Sequence, residues 1–479
     1  MSTDDILEPE NLILDAIEDA ESISDPLAGL VEQTATDPRP PEFTDEALAL
    51  HFADCHAHEL RYVAAWGRWL CWDGKKWQPD DTLLAFDHAR AVCRAAASRC
   101  KQTHIAAAVA SAKTVSAVER LAKADRRLAA TADQWDADPW LLNTPAGVID
   151  LRSGKMRKHD PRDYLTKITA VARAGECDAW QEFLNRATDG DKELQKFLQR
   201  MAGYALTGDT SAHALFFLFG TGANGKSVFI DTLAGVLGDY HKTAPIETFT
   251  ASSGDRHPTD LAGLRGARLV TAVETEEGRR WAESRIKQLT GGDKVSARFM
   301  RQDFFEFTPQ FKLIIAGNHK PGLRSVDEAI RRRFNLLPFT VTIPPEERDP
   351  KLKEKLRYEW PGILAWAIQG CLEWQQRGLS PPEAVQTATA AYLEAEDATA
   401  AWMEERCERD PQAWERSSDL FASWKPWAEQ AGEFAGSTKR FVQTLEGRGF
   451  QPKKTRTGRG FEGIKLIPFN ATIPHWNKK

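Results

Sequence analysis

The chain has 479 residues, 28% of them charged and 42% hydrophobic, enough for two to four domains and a sizeable core. No apolar run approaches the ~20 residues of a membrane span, and the acidic N-terminus lacks the basic and apolar leader of an export signal. The seven cysteines (55, 71, 93, 100, 177, 371 and 407) form no C-x-x-C pair, so a disulfide scaffold and a cysteine zinc finger are set aside and a reducing cytoplasm is expected.

The net charge of −6 hides an asymmetry between the ends. Residues 1–38 hold eleven Asp and Glu and no Lys or Arg, whereas Ser437–Lys479 hold ten Lys and Arg against two Glu. Basic ends often meet nucleic acid. Residues 1–41 lack aromatics and are expected to be a disordered acidic tail. Ile6, Leu7, Leu12, Ile13, Leu14 and Ile17 would suit one helical face in a partner's groove, and a solvated tail is the plainer reading.

From Phe43 the pattern changes. Leu48–Ala64 reads as a helix, and Arg68–Trp77 as two strands around an Asp73-Gly74 turn. Residues 83–130 read as two or three Ala- and Arg-rich helices, a solvated bundle rather than a DNA-facing surface. Asn143–Asp160 carries turn glycines between short strands, and Asp178–Thr207 is helical again.

An α/β core begins near Ala212. Leu215–Phe219 reads as a buried strand, and a helix runs from Val228. Between them stands Gly220-Thr221-Gly222-Ala223-Asn224-Gly225-Lys226-Ser227, the pattern Gly-x-x-x-x-Gly-Lys-Ser in the strand-to-helix context it requires. Glycines let backbone N–H groups crowd around phosphate oxygens, and the helix N-terminus adds partial positive charge. Lys226 would reach the β and γ phosphates, and the Ser227 hydroxyl would join a Mg²⁺ shell. A nucleoside triphosphate, taken as ATP with Mg²⁺, is therefore expected.

Two more strands follow, Arg268–Glu276 and Phe311–Ala316, each ending in polar residues. Alternating strands and helices imply a mostly parallel sheet, with Gly220, Glu274 and Asn318 at the strand ends where ligands sit. Hydrolysis needs a carboxylate near the metal, a group that orients water and often an arginine. Glu274 and Glu276 are both candidates for the first; spacing does not divide metal and base roles between them, and Glu274 is preferred. Asn318 would bond the γ phosphate or the water. Arg331-Arg332-Arg333 is by default a solvated run, but beside such a loop Arg332 and Arg333 are candidates for a finger reaching a neighbouring subunit. Short β-prone runs around Met300-Arg301-Gln302 predict a hairpin whose Arg301, with Arg298 and Lys287 nearby, would touch a phosphate backbone. Residues 346–379 read as helices, Gly378–Pro382 as a linker, and Ala384–Glu405 as helical. The last hundred residues read helix, helix, strand–turn–strand.

GTGANGKS (220–227), RLVTAVETEEG (268–278), IKQLTGGDKVSAR (286–298), KLIIAGNHKP (312–321) and DEAIRRRFNLLPF (327–339), in that order, resemble the superfamily 3 helicases, most closely the helicase part of phage and plasmid primase–helicases of the poxvirus type. DADPWLLNTPAGVIDLRSGKMRKHDP (136–161) and FLQRMAGYALTGDT (197–210) are similar to the pre-helicase domain of that family. The resemblance covers roughly residues 43–467. It implies an AAA+-like P-loop core, a homo-hexameric ring with ATP at subunit interfaces, and translocation on single-stranded or forked DNA in a phage, prophage or plasmid replication system within a bacterial host. It also implies the following division: an acidic tail (1–41), a mostly helical pre-helicase domain (42–205), the ATPase core (206–345), a helical lid and linker (346–383), and a winged helix (384–479). In the last, Ser437 would cap a recognition helix bearing Lys439 and Arg440, and a wing would carry Lys453, Lys454, Arg456 and Arg459. Relatives often carry a primase module, for which this sequence shows no zinc ligands; no primer synthesis is expected, and a separate primase would dock on the acidic tail. The alternatives are an origin-binding initiator or loader ATPase without processive unwinding, and an interference protein that joins or mimics a replication complex.

Overall fold

The computed structural model describes residues 40–251, 259–274, 279–300, 303–323, 326–433, 435–456 and 458–467, with the Glu274 side chain excepted. Almost all of the expected acidic tail, Glu276 and Arg301 lie outside the described residues. No helix among those described is long and apolar enough to cross a membrane. The chain divides into two compact units. One runs up to Cys71 and resumes over Pro79–Thr131; the other comprises Trp72–Gln78 and the residues from Ala132 onward.

In the first unit, helix α1 (Asp45–His56) starts at Thr44, whose hydroxyl accepts from the Ala47 amide at 3.2 Å. Strand β1 (Leu60–Val63) pairs antiparallel with β2 (Arg68–Trp72) and parallel with Ala129–Ala130. Helices α2 (Leu84–Arg99), α3 (Thr103–Val109) and α4 (Ala112–Ala122) complete it, around a core that includes Phe52, Trp69, Cys93, Val118 and Leu128. The helix expected over Leu48–Ala64 is a correction: it stops at His56, because Leu60–Val63 find strand partners and tertiary pairing overrides local propensity.

The second unit opens with the turn at Asp73, whose carboxylate accepts from the Lys75 and Lys76 amides at 2.8 Å each. Strands β3 (Leu141–Thr144), β4 (Gly147–Asp150) and β5 (Lys155–Arg157) form an antiparallel sheet, followed by helices α5 (Asp178–Ala187) and α6 (Lys192–Leu206). Next in chain order come β6 (Leu215–Phe219), α7 (Lys226–Leu237), β7 (His241–Thr243), β8 (Leu269–Glu274), α8 (Glu283–Gly291), a hairpin of β9 (Val295–Ala297) and β10 (Phe305–Phe307), β11 (Lys312–Gly317), the short α9 (Glu328–Arg331) and β12 (Phe334–Pro338).

Five of these strands form a sheet in the order β12-β6-β11-β8-β7, every neighbour parallel. Both faces are covered, which is why the strands read as continuous apolar runs rather than alternating ones. Phe216, Leu218, Ile314 and Leu337 pack into one core with α5, α6, α7 and the long helix α11 described below; Leu215, Phe217, Ile315 and Leu336 face a second core with α8 and the hairpin.

Helices α10 (Leu352–Tyr358) and α11 (Trp360–Arg377) return over the first face. Here α6 and α11 approach to backbone contact: a Cβ on Gly203 would lie 2.0 Å from the Cys371 amide nitrogen, so no larger residue fits. Helix α12 (Glu383–Ala395) leads to α13 (Ala398–Arg406), β13 (Cys407–Arg416), α14 (Ser417–Gln430), α15 (Thr438–Gly447), β14 (Pro452–Thr455) and β15 (Gly458–Leu466). The three strands form an antiparallel sheet in the order β13-β15-β14, packed on α13, α14 and α15 through Trp402, Trp424, Phe441 and Phe461. Strand β13 was not expected. Half of its residues are charged and it contains Pro411, a pattern tolerated only at a sheet edge, where β13 lies.

Candidate functional site

Three parallel strands end level. Phe219 of β6 stands opposite Gly317 of β11, and Gly317 stands opposite Glu274 of β8. The loop from Gly220, the residue Asn318 and the backbone of Glu274 therefore share one carboxyl edge of the sheet, where ligands of open parallel sheets are held.

The loop is tightly shaped. A Cβ on Gly220 would lie 2.0 Å from the Phe339 carbonyl oxygen and 2.2 Å from Asn224 Nδ2. Gly222, Ala223 and Gly225 all have positive φ, at 105°, 51° and 88°. Successive residues of this kind turn backbone N–H groups toward a common concavity, and Ala223 adopts that conformation without being glycine, a local strain that favours a shaped site. The segment after β12 supports the loop: Asn224 Nδ2 donates to the Phe339 carbonyl at 2.9 Å, and the Ile343 amide donates to the Ala223 carbonyl at 2.9 Å.

Lys226 opens α7 and is 6% exposed. Its ammonium donates to the Gly220 carbonyl at 2.6 Å, to Asn224 Oδ1 at 3.2 Å and to Asn318 Oδ1 at 3.2 Å. Burial lowers its pKa from the ordinary lysine value. These three oxygens are uncharged, so an anion entering the concavity would be a stronger partner than any of them. Thr221, Ala223 and Ser227 are exposed at the mouth. Lys226 and its loop neighbour Asn224 are thus brought together with Asn318, 92 residues further along from Lys226; Glu274 is placed by its backbone alone, and Glu276 lies outside the described residues.

The arginine run divides three ways. Arg331 pairs with Asp397 at 3.3 Å. Arg332 is exposed. Arg333 is buried, its Nε donating to Thr290 Oγ1 at 3.1 Å and its Nη1 to the Ala329 carbonyl at 2.7 Å. Asp397 also accepts from Arg448 and caps α13 through the Ala400 amide at 3.1 Å. It joins the arginine segment to the C-terminal region, and nothing in its local sequence signals this.

Of the residues expected to meet DNA, Lys287 is ion-paired with Asp327, and Arg298 lies over the Phe304 ring at 4.7 Å. The expected hairpin is present as β9 and β10, with Phe299, Met300 and Phe304 exposed at 42%, 69% and 58% near its tip. In the sequence the arginines of this stretch carry the charge signal, and these apolar residues carry none. Ser437 caps α15 as expected, its Oγ accepting from the Arg440 amide at 3.3 Å, with Lys439 and Arg440 in the exposed first turn. Lys453, Lys454, Arg456 and Arg459 are exposed on or between β14 and β15, Lys453 being paired with Glu462.

The opposite edge of the sheet holds two buried cations that sequence reasoning missed. Lys312 Nζ donates to the carbonyls of Thr207, Asp209 (3.0 Å) and Gln310 (3.3 Å), and Arg268 donates to those of Leu206 and Leu141 at 2.7 Å each. Their partners come from loops, the start of β3 and the end of α6, so no short motif marks them.

Residues 49–189 match the family described as D5 N terminal like, and residues 218–333 match a family of unknown function, DUF5906. The chain is 27% identical over 281 residues to the putative helicase L207/L206 of Acanthamoeba polyphaga mimivirus, covering 54% of this chain and 29% of that protein. It is 26% identical over 261 residues to the putative helicase 022R of Frog virus 3 (isolate Goorha), covering 50% of this chain and 26% of that protein. The chain thus spans less than a third of the length of these curated relatives. Among solved structures, the apo NrS-1 C-terminal region aligns over 84% of this chain and 94% of its own, with 10% identity and a TM-score of 0.47. With a D5 N-terminal-like segment ahead of the segment that bears the glycine loop and Asn318, and with viral putative helicases as relatives, the chain is similar to the superfamily 3 primase–helicase type.

Proposed function

We propose that the chain is an ATP-dependent DNA helicase of a replication system, working as a homo-hexameric ring on single-stranded DNA. The observation that carries this reading is the Lys226 ammonium held beside Asn318 and the Gly220 loop at the carboxyl edge of the parallel sheet. On this reading the sheet and its loop are an AAA+-like P-loop core. Residues Gly220–Ser227 cradle the triphosphate of ATP, and Lys226 exchanges its amide and carbonyl partners for phosphate oxygens. Ser227 and Glu274 would hold Mg²⁺, which when bound neutralises phosphate charge. The exposed Ser227 hydroxyl in the first turn of α7 fits that task. Asn318 orients the γ phosphate or the attacking water, and Glu274 or Glu276 polarises that water. Arg332, exposed beside the anchored Arg333, is the side chain a neighbouring subunit would meet.

The helices and strands from α13 onward form a winged helix on this reading, with α15 and the β14–β15 turn toward DNA. The hairpin tip, with Phe299, Met300 and Phe304, offers stacking surface for unpaired bases. A separate primase would join through the acidic N-terminal stretch, in the cytoplasm of the host.

ATP hydrolysis by the purified chain, with and without single-stranded DNA, and unwinding of a forked duplex test this. Hydrolysis that rises with single-stranded DNA and unwinding that vanishes in Lys226→Ala are expected. Hydrolysis indifferent to single-stranded DNA, with duplex binding but no unwinding, would favour an origin-binding loader instead. Mixing Arg332→Ala with Lys226→Ala subunits tests the shared site: partial rescue is expected, and none at any ratio would remove Arg332 from that role.

A further inference from the structure

The first compact unit gathers three side chains of metal-binding type that the nucleotide site does not use. His56 ends α1, Glu59 lies in the turn before β1, and His88 stands in the second turn of α2. Their ligand atoms all lie within 4.8 Å of one another, the one such group of three found among the described residues. His56 Nδ1 is 2.6 Å from Glu59 Oε1. The His56 and His88 rings stack with centroids 4.2 Å apart and planes 22° apart. All three residues are half-buried, while His58, with Nε2 3.7 Å from Glu59 Oε2, is exposed.

Burial and the neighbouring His56 lower the His88 pKa, keeping its lone pair available at neutral pH. Burial works the other way on Glu59, yet the bond from His56 and the surrounding histidines hold its carboxyl below the usual range. Two imidazoles and one carboxylate are a donor set for a borderline dication such as zinc. Tetrahedral zinc has bonds of about 2.0–2.1 Å, hence ligand atoms roughly 3.4 Å apart, so binding would open the 2.6 Å His56–Glu59 contact and re-aim the stacked rings.

We propose that His56, Glu59 and His88 bind one zinc-class divalent transition-metal ion, which ties the α1–β1 turn to α2, with the fourth position filled by water or His58. A search for paired cysteines passes over such a site, because two ligands come from one turn and the third from a helix that follows two strands. The ion would replace the proton that His56 and Glu59 share, and its affinity would add to the stability of the first unit, since the unfolded chain holds no preformed site.

The test uses the full chain, stripped with a chelator, dialysed and free of nucleotide, titrated with Co²⁺ and followed by visible absorption and calorimetry. One Co²⁺ per chain, displaced by Zn²⁺ and raising the melting temperature, is expected for the unaltered protein. His88→Ala should abolish this binding and Glu59→Gln should weaken it at least tenfold, whereas His51→Ala, at an exposed neighbouring histidine, should bind as before. Circular dichroism and melting in chelator show whether each variant retains the metal-free fold; Glu59→Gln decides if His88→Ala does not fold. No Co²⁺ bound by the unaltered chain overturns the proposal, as does undiminished binding in folded His88→Ala or Glu59→Gln. Binding lost equally in His51→Ala would place the ion elsewhere and also overturn it.

Discussion

The two edges of the five-stranded sheet each bury a lysine, and only one of them is organised for exchange. Lys226, at the carboxyl edge, is held by one main-chain carbonyl and two side-chain amides at the mouth of a shaped loop. Lys312, at the amino edge, is 1% exposed, locked by main-chain carbonyls and set over the Tyr204 ring at 4.7 Å. Burial lowers both pKa values, Lys312 well below the ordinary value. Burial and a perturbed pKa therefore do not identify a functional lysine on their own. What separates the two is whether the partners can be given up: side-chain amides swing away, whereas main-chain carbonyls move only with the backbone that carries them.

The largest effect that would break this contrast is on turnover. Lys226→Ala should reduce ATP hydrolysis about 10²–10³-fold, the usual consequence of losing one preorganised donor to developing charge, with little change in melting temperature. Lys312→Met should do the reverse. Three carbonyls lose their donor, and urea unfolding should show a loss of about 2–4 kcal/mol, with the activity of the remaining folded protein intact. Equal stability losses in the two variants would erase the distinction. Asn318→Ala sharpens it further, with about a 10–100-fold fall in hydrolysis, since one hydrogen bond to a charged group is worth about 1.5–3 kcal/mol.

The smallest effect is a pH dependence with opposite signs. For a lysine whose folded pKa is depressed, the unfolded chain binds more protons between the folded and unfolded values, so stability rises with pH across that window. If Lys226 binds nucleotide as proposed, that affinity should move the other way, because Lys226 would lose the charge that attracts phosphate before an ordinary lysine, whose value is 10.5. Binding of a fluorescent ATP analogue should therefore weaken through the alkaline range while the melting temperature does not fall in step. Parallel loss of both would show that Lys226 keeps an ordinary pKa.

The same contrast explains what could be read from the chain alone. The Gly220–Ser227 loop, its strand and its helix are local in sequence, and their φ requirements and periodicity are written into consecutive residues. The alignment of Glu274 with Gly317 followed from strand ends. The Lys312 and Arg268 contacts were not legible, because their acceptors near 141 and 207 are carbonyls that any residue supplies. Helix α1 was overrun at Ala57 because Leu60–Val63 also suits a helix until β2 pairs with it. Strand β13 was missed because its partner β15 lies some fifty residues on and its own pattern does not alternate. The inward turn of Arg333 depends on Thr290 and Ala329, which the arginine run itself does not reveal.

One short loop carries a mechanical consequence. Asn318, which touches Lys226, begins a segment whose far end is clamped by α12 and the residue after it. Tyr392 donates to the Pro321 carbonyl and accepts from Trp281 Nε1 at 2.9 Å, and Glu396 accepts from the Leu323 amide at 2.8 Å. Glu396 is followed by Asp397, the anchor of Arg331 and Arg448. A tug on the C-terminal region therefore has a load path of only a few residues to the amide beside Lys226.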